Sequence, residues 1–250
     1  MIFETVNGRR YARFESLAQV AGLRHAFSTR PHDVALRIDR HMATRAARRA
    51  AMVADWGLDP ERLLACEQSH ETRIAVIDEP RPAAILPNTD ATIVTTPIQP
   101  VMNFSADCPL ILIDDSRRRV IATAHASWRC TVAGLTAMLI ERMRREFGCD
   151  PAECVAGIGP SAGPLRYEVG ADVYAAAANL PQRDALFPRR GGKVFFDLWA
   201  ANRAQLEAAG VPAANIETAG ICTISDADRF YSYRREGAGC GHFGLLAALV

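Results

Sequence analysis

Two short, uninterrupted apolar runs near the middle of the chain constrain its fold more than any other feature. They are LILI at 110–113 and VIATA at 120–124, within the strands expected at 109–113 and 119–124. They are too short for a membrane span and lack the alternation of a strand with one wet face. Such runs are typical of β-strands that are buried on both faces. The fold therefore needs a covering layer on each side of a sheet, and a chain of 250 residues, 49% hydrophobic, can supply it.

Turn residues and apolar spacing predict the remaining elements. Helices are expected where apolar side chains recur at helical spacing, three of them ending at a glycine: 42–56, 131–147, 171–178 and 198–209. Further strands are expected at 73–77, 91–95, 100–104, 154–158, 216–220 and 229–233. Helices and strands interleave without strict alternation, which predicts an α/β (α+β) fold with mixed sheets and flanking helices. The proline-containing loop 78–90 is too short for a linker, so residues 1–250 are expected to form a single layered domain.

Charge and composition exclude several classes of function. The 29 basic and 28 acidic residues nearly cancel, which argues against nucleic acid or an anionic membrane as the main partner. The arginines of the first predicted helix and its approach are expected to form a solvated face: Arg37, Arg40, Arg45, Arg48 and Arg49. Lys193 is the only lysine, so a Schiff-base mechanism would have to use it. The composition indicates no oligomeric state.

The cysteines and the N-terminus bear on location. Residues 1–10 contain Glu4, Arg9 and Arg10 and no apolar segment, so no secretory signal is expected there. Seven cysteines without such a signal are expected to be reduced thiols in a cytoplasmic protein.

Three residues that can bind a metal or take part in catalysis lie at strand edges. His70 closes a loop before the strand at 73–77, Cys108 precedes the strand at 109–113, and His125 follows the run at 119–124. A thiolate and two imidazoles suit zinc, and three protein ligands leave a position for water or substrate. The spacing itself is not a metal motif. The same residues could be a buried core thiol with two hydrogen-bonded histidines, or a Cys108 nucleophile with His125 as its base in a metal-free hydrolase of deamidase type.

A series of motifs resembles those of the laccase-domain (multicopper polyphenol oxidase) family, from about Gly22 to the C-terminus. The motifs are Gln68-Ser69-His70, Asp90-Ala91, Ser105-Ala106-Asp107-Cys108-Pro109, His125-Ala126-Ser127-Trp128-Arg129, Gly157-Ile158-Gly159-Pro160-Ser161, Tyr167-Glu168-Val169-Gly170, Phe196-Asp197-Leu198 and Tyr231-Ser232-Tyr233-Arg234-Arg235. The resemblance implies that His70, Cys108 and His125 bind one zinc ion. It also implies a purine nucleoside phosphorylase that deaminates adenosine, with purine nucleosides and phosphate as its small-molecule partners.

The number of histidines argues against a multicopper oxidase. A four-copper centre needs roughly ten histidines in paired His-x-His motifs. This chain has six histidines and no such pair. Zinc is therefore the expected metal and copper the less favoured one. A copper-dependent phenol oxidase and a non-catalytic zinc-binding protein remain as alternatives.

The resemblance also suggests roles around the metal. Asp107 is the candidate proton carrier beside Cys108 and His125, although an aspartate at this turn often only accepts backbone hydrogen bonds. The candidates for phosphate binding are arginines, because a guanidinium binds two oxygens at once: Arg30, Arg129 and Arg234. Trp128 is expected to wall the pocket or stack on a base.

Several positions depart from the family pattern. The loop after Arg30 looks shortened at 31–34, and Ser127, Cys130 and His242 replace residues usual in the family. Ser127 and Cys130 stand at glycine positions, where a positive φ would cost about 1 kcal/mol or more. Cys130 could also act as a fourth ligand that closes the metal site.

Overall fold

The computed structural model describes residues 1–36 and 39–250. In this part of the chain the strands are β1 (Ile2–Val6), β2 (Arg9–Arg13), β3 (Leu23–Ser28), β4 (Leu64–Cys66), β5 (Ile74–Ile77), β6 (Ala84–Leu86), β7 (Ala91–Val94), β8 (Val101–Ser105), β9 (Leu110–Asp115), β10 (Val120–His125), β11 (Val155–Ile158), β12 (Glu168–Val169), β13 (Arg189–Arg190), β14 (Lys193–Phe195), β15 (Ile216–Thr218) and β16 (Phe243–Leu249). The helices are α1 (Glu15–Ala18), α2 (Met42–Asp55), α3 (Trp128–Val132), α4 (Leu135–Phe147), α5 (Ala171–Ala176), α6 (Arg183–Leu186), α7 (Leu198–Ala208) and α8 (Tyr233–Glu236). Short 3₁₀ turns lie at Pro60–Arg62, Pro151–Glu153, Ala213–Asn215 and Gly237–Gly239.

Two mixed sheets dominate the described residues. Sheet A has the strand order β1-β2-β3-β16-β8-β4-β6, with the last two neighbour pairs parallel. Sheet B has the order β15-β11-β9-β10-β7-β5, with parallel pairs at both edges. A third, small antiparallel sheet has the strand order β12-β14-β13. The predicted mixed-sheet α/β fold is confirmed.

The apolar runs are buried on both faces because the two sheets pack between helices. In β9, Leu110 and Leu112 join the core shared with sheet A, whereas Ile111 and Ile113 pack with α4 and α7. On the far side of sheet A, side chains such as Leu246 pack with α2. The layers therefore run helix, sheet, sheet, helix, and each central strand contributes alternate residues to two cores.

Glycine positions explain how the predicted helices differ from the observed ones. The helix predicted at 131–147 is interrupted at Gly134, which has φ +82°, so that α3 and α4 are separate. Gly148, with φ +65°, ends α4 at the predicted place. Because left-handed φ values favour glycine, the first of these breaks the helix and the second caps it.

The strand predicted at 229–233 is wrong. Ser232 instead starts α8, with its hydroxyl accepting the amide hydrogen of Arg235 at 3.2 Å, which is an N-cap interaction. The Arg229 backbone N–H group donates to the Asp226 carboxylate at 3.2 Å within a preceding turn. Local side-chain-to-backbone bonds therefore outweigh the β-propensity of the aromatic residues in this segment.

The solvated arginine face is wrong in part. Arg45 is only 5% exposed, and its guanidinium pairs with Asp33 at 2.6 Å and Asp39 at 2.8 Å. Arg49 donates to the carbonyls of Val34 and Ala35. These two arginines fasten α2 to the segment before it. Arg37 lies outside the described residues.

Within the described residues, the helices include none with the length and apolar character that a membrane crossing requires.

Candidate metal centre and its cavity

The three predicted metal ligands meet at one end of sheet B. His125 is the last residue of β10, which runs antiparallel to β9 and pairs His125 with Leu110. Cys108 lies just before β9 and therefore reaches the same end. His70 precedes β5, which is parallel to β7 and also starts at this end. The topology of the sheet thus brings together residues that are 38 and 17 positions apart.

The donor atoms are close enough to share an ion. One ring nitrogen each from His70 and His125 and the Cys108 sulfur all lie within 4.8 Å of one another. The two imidazoles are 4.9 Å apart at their centroids and nearly perpendicular, at 84°. His125 is buried, Cys108 is half-buried and His70 is exposed, so the group opens to solvent on one side. The three residues therefore form one cluster at the surface of the protein.

Asp90 organises both histidines. Its carboxylate accepts the backbone N–H groups of Ser69, His70 and Glu71 at 3.0–3.2 Å. It also lies 2.8 Å from His125 Nδ1. With Nδ1 bonded to a carboxylate, the Nε2 atom of His125 is the nitrogen available to a metal. Although burial opposes ionisation, the bond from His125 and those from the backbone lower the pKa of Asp90.

Two residues of the site have left-handed backbone conformations. His70 has φ +63° and Asp107 has φ +115°, values that are uncommon for residues other than glycine. The bonds to Asp90 fix the first. The Asp107 carboxylate fixes the second, because it accepts the Thr223 hydroxyl at 2.6 Å and the Arg234 amide hydrogen at 2.7 Å. Strained backbone maintained by buried bonds is typical of functional sites.

Gln68 connects the loop of His70 to sheet A. Its side-chain amide donates to the Phe104 carbonyl and accepts the Phe104 amide hydrogen, both at 2.7 Å. These two bonds imitate a strand ladder at the end of β8. Since Cys108 follows β8 by three residues, the amide of Gln68 helps set the distance between the two ligand loops.

The chemistry of the donors fits a soft or borderline cation. Burial, followed by the charge of nearby Asp107, raises the pKa of the Cys108 thiol. A thiolate at this position therefore needs a cation beside it, which zinc or copper would provide. Desolvation, followed by the charge of His125, lowers the pKa of His70, so its ring is neutral and able to coordinate at neutral pH. The raised pKa of Cys108 also disfavours a metal-free thiolate nucleophile.

The donors lie in the wall of a cavity of about 680 Å³. This volume is in the range of small-molecule sites. Much of the remaining wall is aromatic: Phe104, Trp128, Tyr167 and Tyr233. Metal donors beside flat apolar surfaces suit a planar, partly polar ligand.

The structure separates the predicted phosphate-binding arginines. Arg129 and Arg234 line the cavity, each stacked on a ring, with guanidinium-to-centroid distances of 4.4 Å to Trp128 and 5.0 Å to Tyr167. Arg30 is not among the lining residues, and its guanidinium pairs with Glu236 at 2.9 Å. The geometry therefore gives Arg30 a structural partner and offers no support for phosphate binding there.

Asp107 lines the cavity and is only 7% exposed. Burial outweighs its hydrogen bonds and raises the pKa of its carboxyl group. Each oxygen already accepts one hydrogen bond from the protein. The structural role expected for an aspartate at this turn is thus observed, alongside a position that faces the cavity.

The residues at the expected glycine positions cause no backbone strain. Ser127 has φ −55° and caps α3 by accepting the Cys130 amide hydrogen, and Cys130 lies within that helix. Cys130 does not join the group formed by His70, Cys108 and His125. Among the described residues, that group therefore has an open side rather than a fourth cysteine ligand.

Several lining or supporting residues are absent from the predicted site. Asp90 belongs to one of the family motifs but had no predicted role, although an aspartate directly before a buried strand is itself a signal. Glu67, Tyr167, Tyr233 and His242 line the cavity, and the sequence predicted no function for them there. They come from four separate segments, and the sequence alone does not indicate that these segments converge.

The chain is similar to several known proteins. The family model described as multi-copper polyphenol oxidoreductase laccase matches residues 28–250. A purine nucleoside phosphorylase from Bacteroides thetaiotaomicron is 37% identical over 193 residues, covering 73% of this chain and 71% of the relative. The adenosine deaminase RL5, from an unknown prokaryotic organism, is 34% identical over 203 residues, covering 77% of each chain.

Two solved structures share the fold. The hypothetical protein YfiH of Bacillus licheniformis has a TM-score of 0.88 and 26% identity, and the alignment covers 93% of this chain and 94% of that one. YlmD from Geobacillus stearothermophilus has a TM-score of 0.87 and 23% identity, with 99% and 98% covered. With residues 28–250 matched and a shared fold, the chain belongs to the multi-copper polyphenol oxidoreductase laccase family.

Proposed function

We propose that the protein is a zinc-dependent purine nucleoside phosphorylase with adenosine deaminase activity. The observation that carries the proposal is the convergence of His70, Cys108 and His125 within 4.8 Å at the wall of an aromatic cavity. Relatives named purine nucleoside phosphorylase and adenosine deaminase support the choice of reactions.

The three donors would hold the metal, and Asp90 would hold two of them in place. Zinc bound there would supply Lewis acidity and activate a water at neutral pH. His70 and Cys108 contribute the ligands nearer to solvent, and His125 the buried one. The open side of the group faces the cavity, where a substrate can approach.

The aromatic walls would seat the purine. Trp128 and Tyr167 carry Arg129 and Arg234 on their rings and wall the cavity. Phe104 and Tyr233 also line it and can stack on a flat base, and stacking on aromatic rings contributes about 1–3 kcal/mol per base. The side-chain amide of Gln68 is bonded to the backbone of Phe104 through its oxygen and its nitrogen, which fixes its orientation. Glu67 and His242 also line the cavity, and the Glu67 carboxylate can bond the edge of a base or a ribose hydroxyl.

Arg129 and Arg234 would bind the phosphate. In phosphorolysis a phosphate oxygen forms the new bond to ribose C1′ as the bond from C1′ to the purine nitrogen breaks, giving ribose 1-phosphate and the free base. Guanidinium groups hold the phosphate by paired N–H bonds and offset its charge. Stacking on Trp128 and Tyr167 keeps both groups at the cavity.

Asp107 is our candidate for carrying a proton. It would deliver the proton that the departing purine nitrogen needs, or the one that leaves with ammonia during deamination. Its hydrogen bonds from Thr223 and from the Arg234 amide fix the carboxyl group against the cavity wall.

We further propose a cytoplasmic location, where the seven free cysteines would stay reduced.

Metal analysis combined with two assays tests the proposal. Protein purified without chelator should contain zinc, release hypoxanthine from inosine only when phosphate is present, and convert adenosine to inosine without it. His70→Ala should lose both activities, whereas His41→Ala, an exposed histidine beside Arg40, should keep them. Zinc-loaded protein that turns over neither nucleoside would reject the proposal. Copper with oxygen uptake on phenols would favour the oxidase, and a metal-dependent melting temperature without turnover would favour a binding protein.

A further inference from the structure

A set of hydrogen bonds behind the metal donors joins the two segments that carry the histidines. The Ser127 hydroxyl donates to the Cys130 sulfur at 2.9 Å, and the Cys130 thiol donates to the Glu71 carbonyl at 3.0 Å. Ser127 and Cys130 are both 0% exposed. Ser127 follows His125 by two positions and Glu71 follows His70 directly. The thiol is therefore a physical connection between the two ligand segments.

The Glu71 peptide unit is fixed from both directions. Its N–H group donates to the Asp90 carboxylate at 3.0 Å, and its carbonyl accepts the Cys130 thiol. The residue before it, His70, has φ +63°. A left-handed non-glycine residue persists only where its surroundings hold it. Removing the thiol donor would thus loosen a conformation that is unfavourable by itself.

Cys130 is better placed to support the ligands than to bind a second metal. Its sulfur, a ring nitrogen of His125 and a carboxylate oxygen of Asp90 do lie within 4.8 Å of one another. However, Asp90 already accepts three backbone N–H bonds and lies at 2.8 Å from His125. A metal in this group would have to break those bonds. The sulfur lies 3.7 Å from Asp90 Oδ1, where it completes the wall around the carboxylate.

We propose that Cys130, oriented by Ser127, is a positioning residue that fixes the separation of the two imidazoles before a metal binds and slows the release of the bound metal. The inference rests on the metal site of the proposed function. It concerns the rate of metal loss, which is measured without any nucleoside.

The test is the transfer of zinc from loaded protein to an excess of a chromophoric chelator. Cys130→Ala should release zinc about tenfold faster, the smaller end of the effect that partners of metal ligands usually have. Cys130→Ser keeps a donor to Glu71 and should release zinc at a rate between those of the alanine variant and the wild type. Cys154→Ala is the matched control, because Cys154 is similarly buried and donates to the Asp150 carbonyl away from the cavity.

Zinc release and zinc content of the variants test the role of Cys130. The inference fails if Cys130→Ala and Cys154→Ala release zinc at the wild-type rate while both remain folded. Two zinc ions per wild-type chain and one in Cys130→Ala would also overturn it, since Cys130 would then be a ligand. Should Cys130→Ala not fold, Ser127→Ala and Cys130→Ser supply the comparison, and wild-type rates in both would overturn the inference. Wild-type protein that binds no zinc would instead refute the metal site on which the inference rests.

Discussion

Two aspartates at opposite ends of sheet B are equally buried, but their pKa values are shifted in opposite directions. Asp90, just before β7, is 0% exposed, and Asp114, near the end of β9, is 1% exposed. Hydrogen bonds lower the pKa of Asp90 in spite of its burial. At Asp114, burial raises the pKa to about 6, and the adjacent charge of Asp115 adds to the increase.

The number of donors around each carboxylate explains the difference. Asp90 accepts hydrogen bonds from three consecutive backbone N–H groups and faces His125. Among the described residues, Asp114 accepts a side-chain hydrogen bond from the Ser116 hydroxyl alone. Burial alone therefore does not determine the charge of a carboxylate, and donors arranged by the backbone do. We call the end of sheet B that holds His70, Cys108 and His125 the metal end. There the charge of Asp90 is stabilised because the two segments that carry the histidines converge on its carboxylate.

The largest difference between the ends concerns their thiols. Cys108→Ala should lose its metal and about a thousandfold in purine release, which corresponds to about 4 kcal/mol of transition-state stabilisation. Cys149→Ala, at the other end beside Asp115, should keep both, because Cys149 is a buried packing residue. Elemental analysis and an inosine phosphorolysis assay measure the two effects. Full activity in Cys108→Ala would show that the metal end is not catalytic.

The second prediction concerns Asp90 itself. Asp90→Asn should reduce the free energy of unfolding by about 3 kcal/mol, because an amide replaces the charge that three N–H groups and His125 surround. It should also weaken zinc binding by about 10- to 100-fold, since His125 loses its carboxylate partner. Urea unfolding and chelator competition are the measurements. Asp55→Asn, in the cluster of Arg9 and Tyr11, should reduce stability without changing zinc affinity.

At Asp114 the same change from aspartate to asparagine should increase the free energy of unfolding instead of reducing it. The carboxyl has a pKa of about 6 in the folded chain and a usual value of 3.8, so the folded state binds the proton more tightly. The contribution of Asp114 to the free energy of unfolding therefore falls as the pH rises from about 4 to about 6 and then stays level. Asp114→Asn removes the buried charge and should stabilise the protein by up to about 2 kcal/mol above pH 6, with the gain vanishing near pH 4. Urea unfolding at both pH values tests this. A gain that is equal at both would contradict the assigned cause.

The sequence predicted the two-sided burial of β9 and β10 and the position of His70, Cys108 and His125 at strand edges, because these depend on apolar runs and on the residues that flank them. It did not predict the role of Asp90, whose partners at 69–71 and 125 come from other segments. Burial at Asp114 could be predicted from its strand, but the small number of donors there is a property of the tertiary structure.

The outer strands of sheet A could have been predicted in part. Asn7 and Gly8 separate β1 from β2, and both have positive φ values, as a two-residue hairpin requires. That pair was a readable signal for the hairpin. The sequence of β16, FGLLAAL, fits a buried helix as well as a buried strand, because it has neither alternation nor strong β-branching. Its pairing with β3 and β8, far away in sequence, makes it a strand.

The smallest predicted effect separates the two reactions at the metal end. Arg129→Gln should raise the KM for phosphate in phosphorolysis about tenfold, the loss of roughly 1.4 kcal/mol expected for a charge-assisted bond at an exposed position. Deamination of adenosine uses no phosphate and should keep most of its rate, although the charge of Arg129 also helps to lower the pKa of His70. Arg117→Gln is the control at the far end of the sheet, where this exposed arginine pairs with Glu153. Equal losses in both reactions would mean that Arg129 supports the cavity wall, and the phosphate would then have to be bound elsewhere.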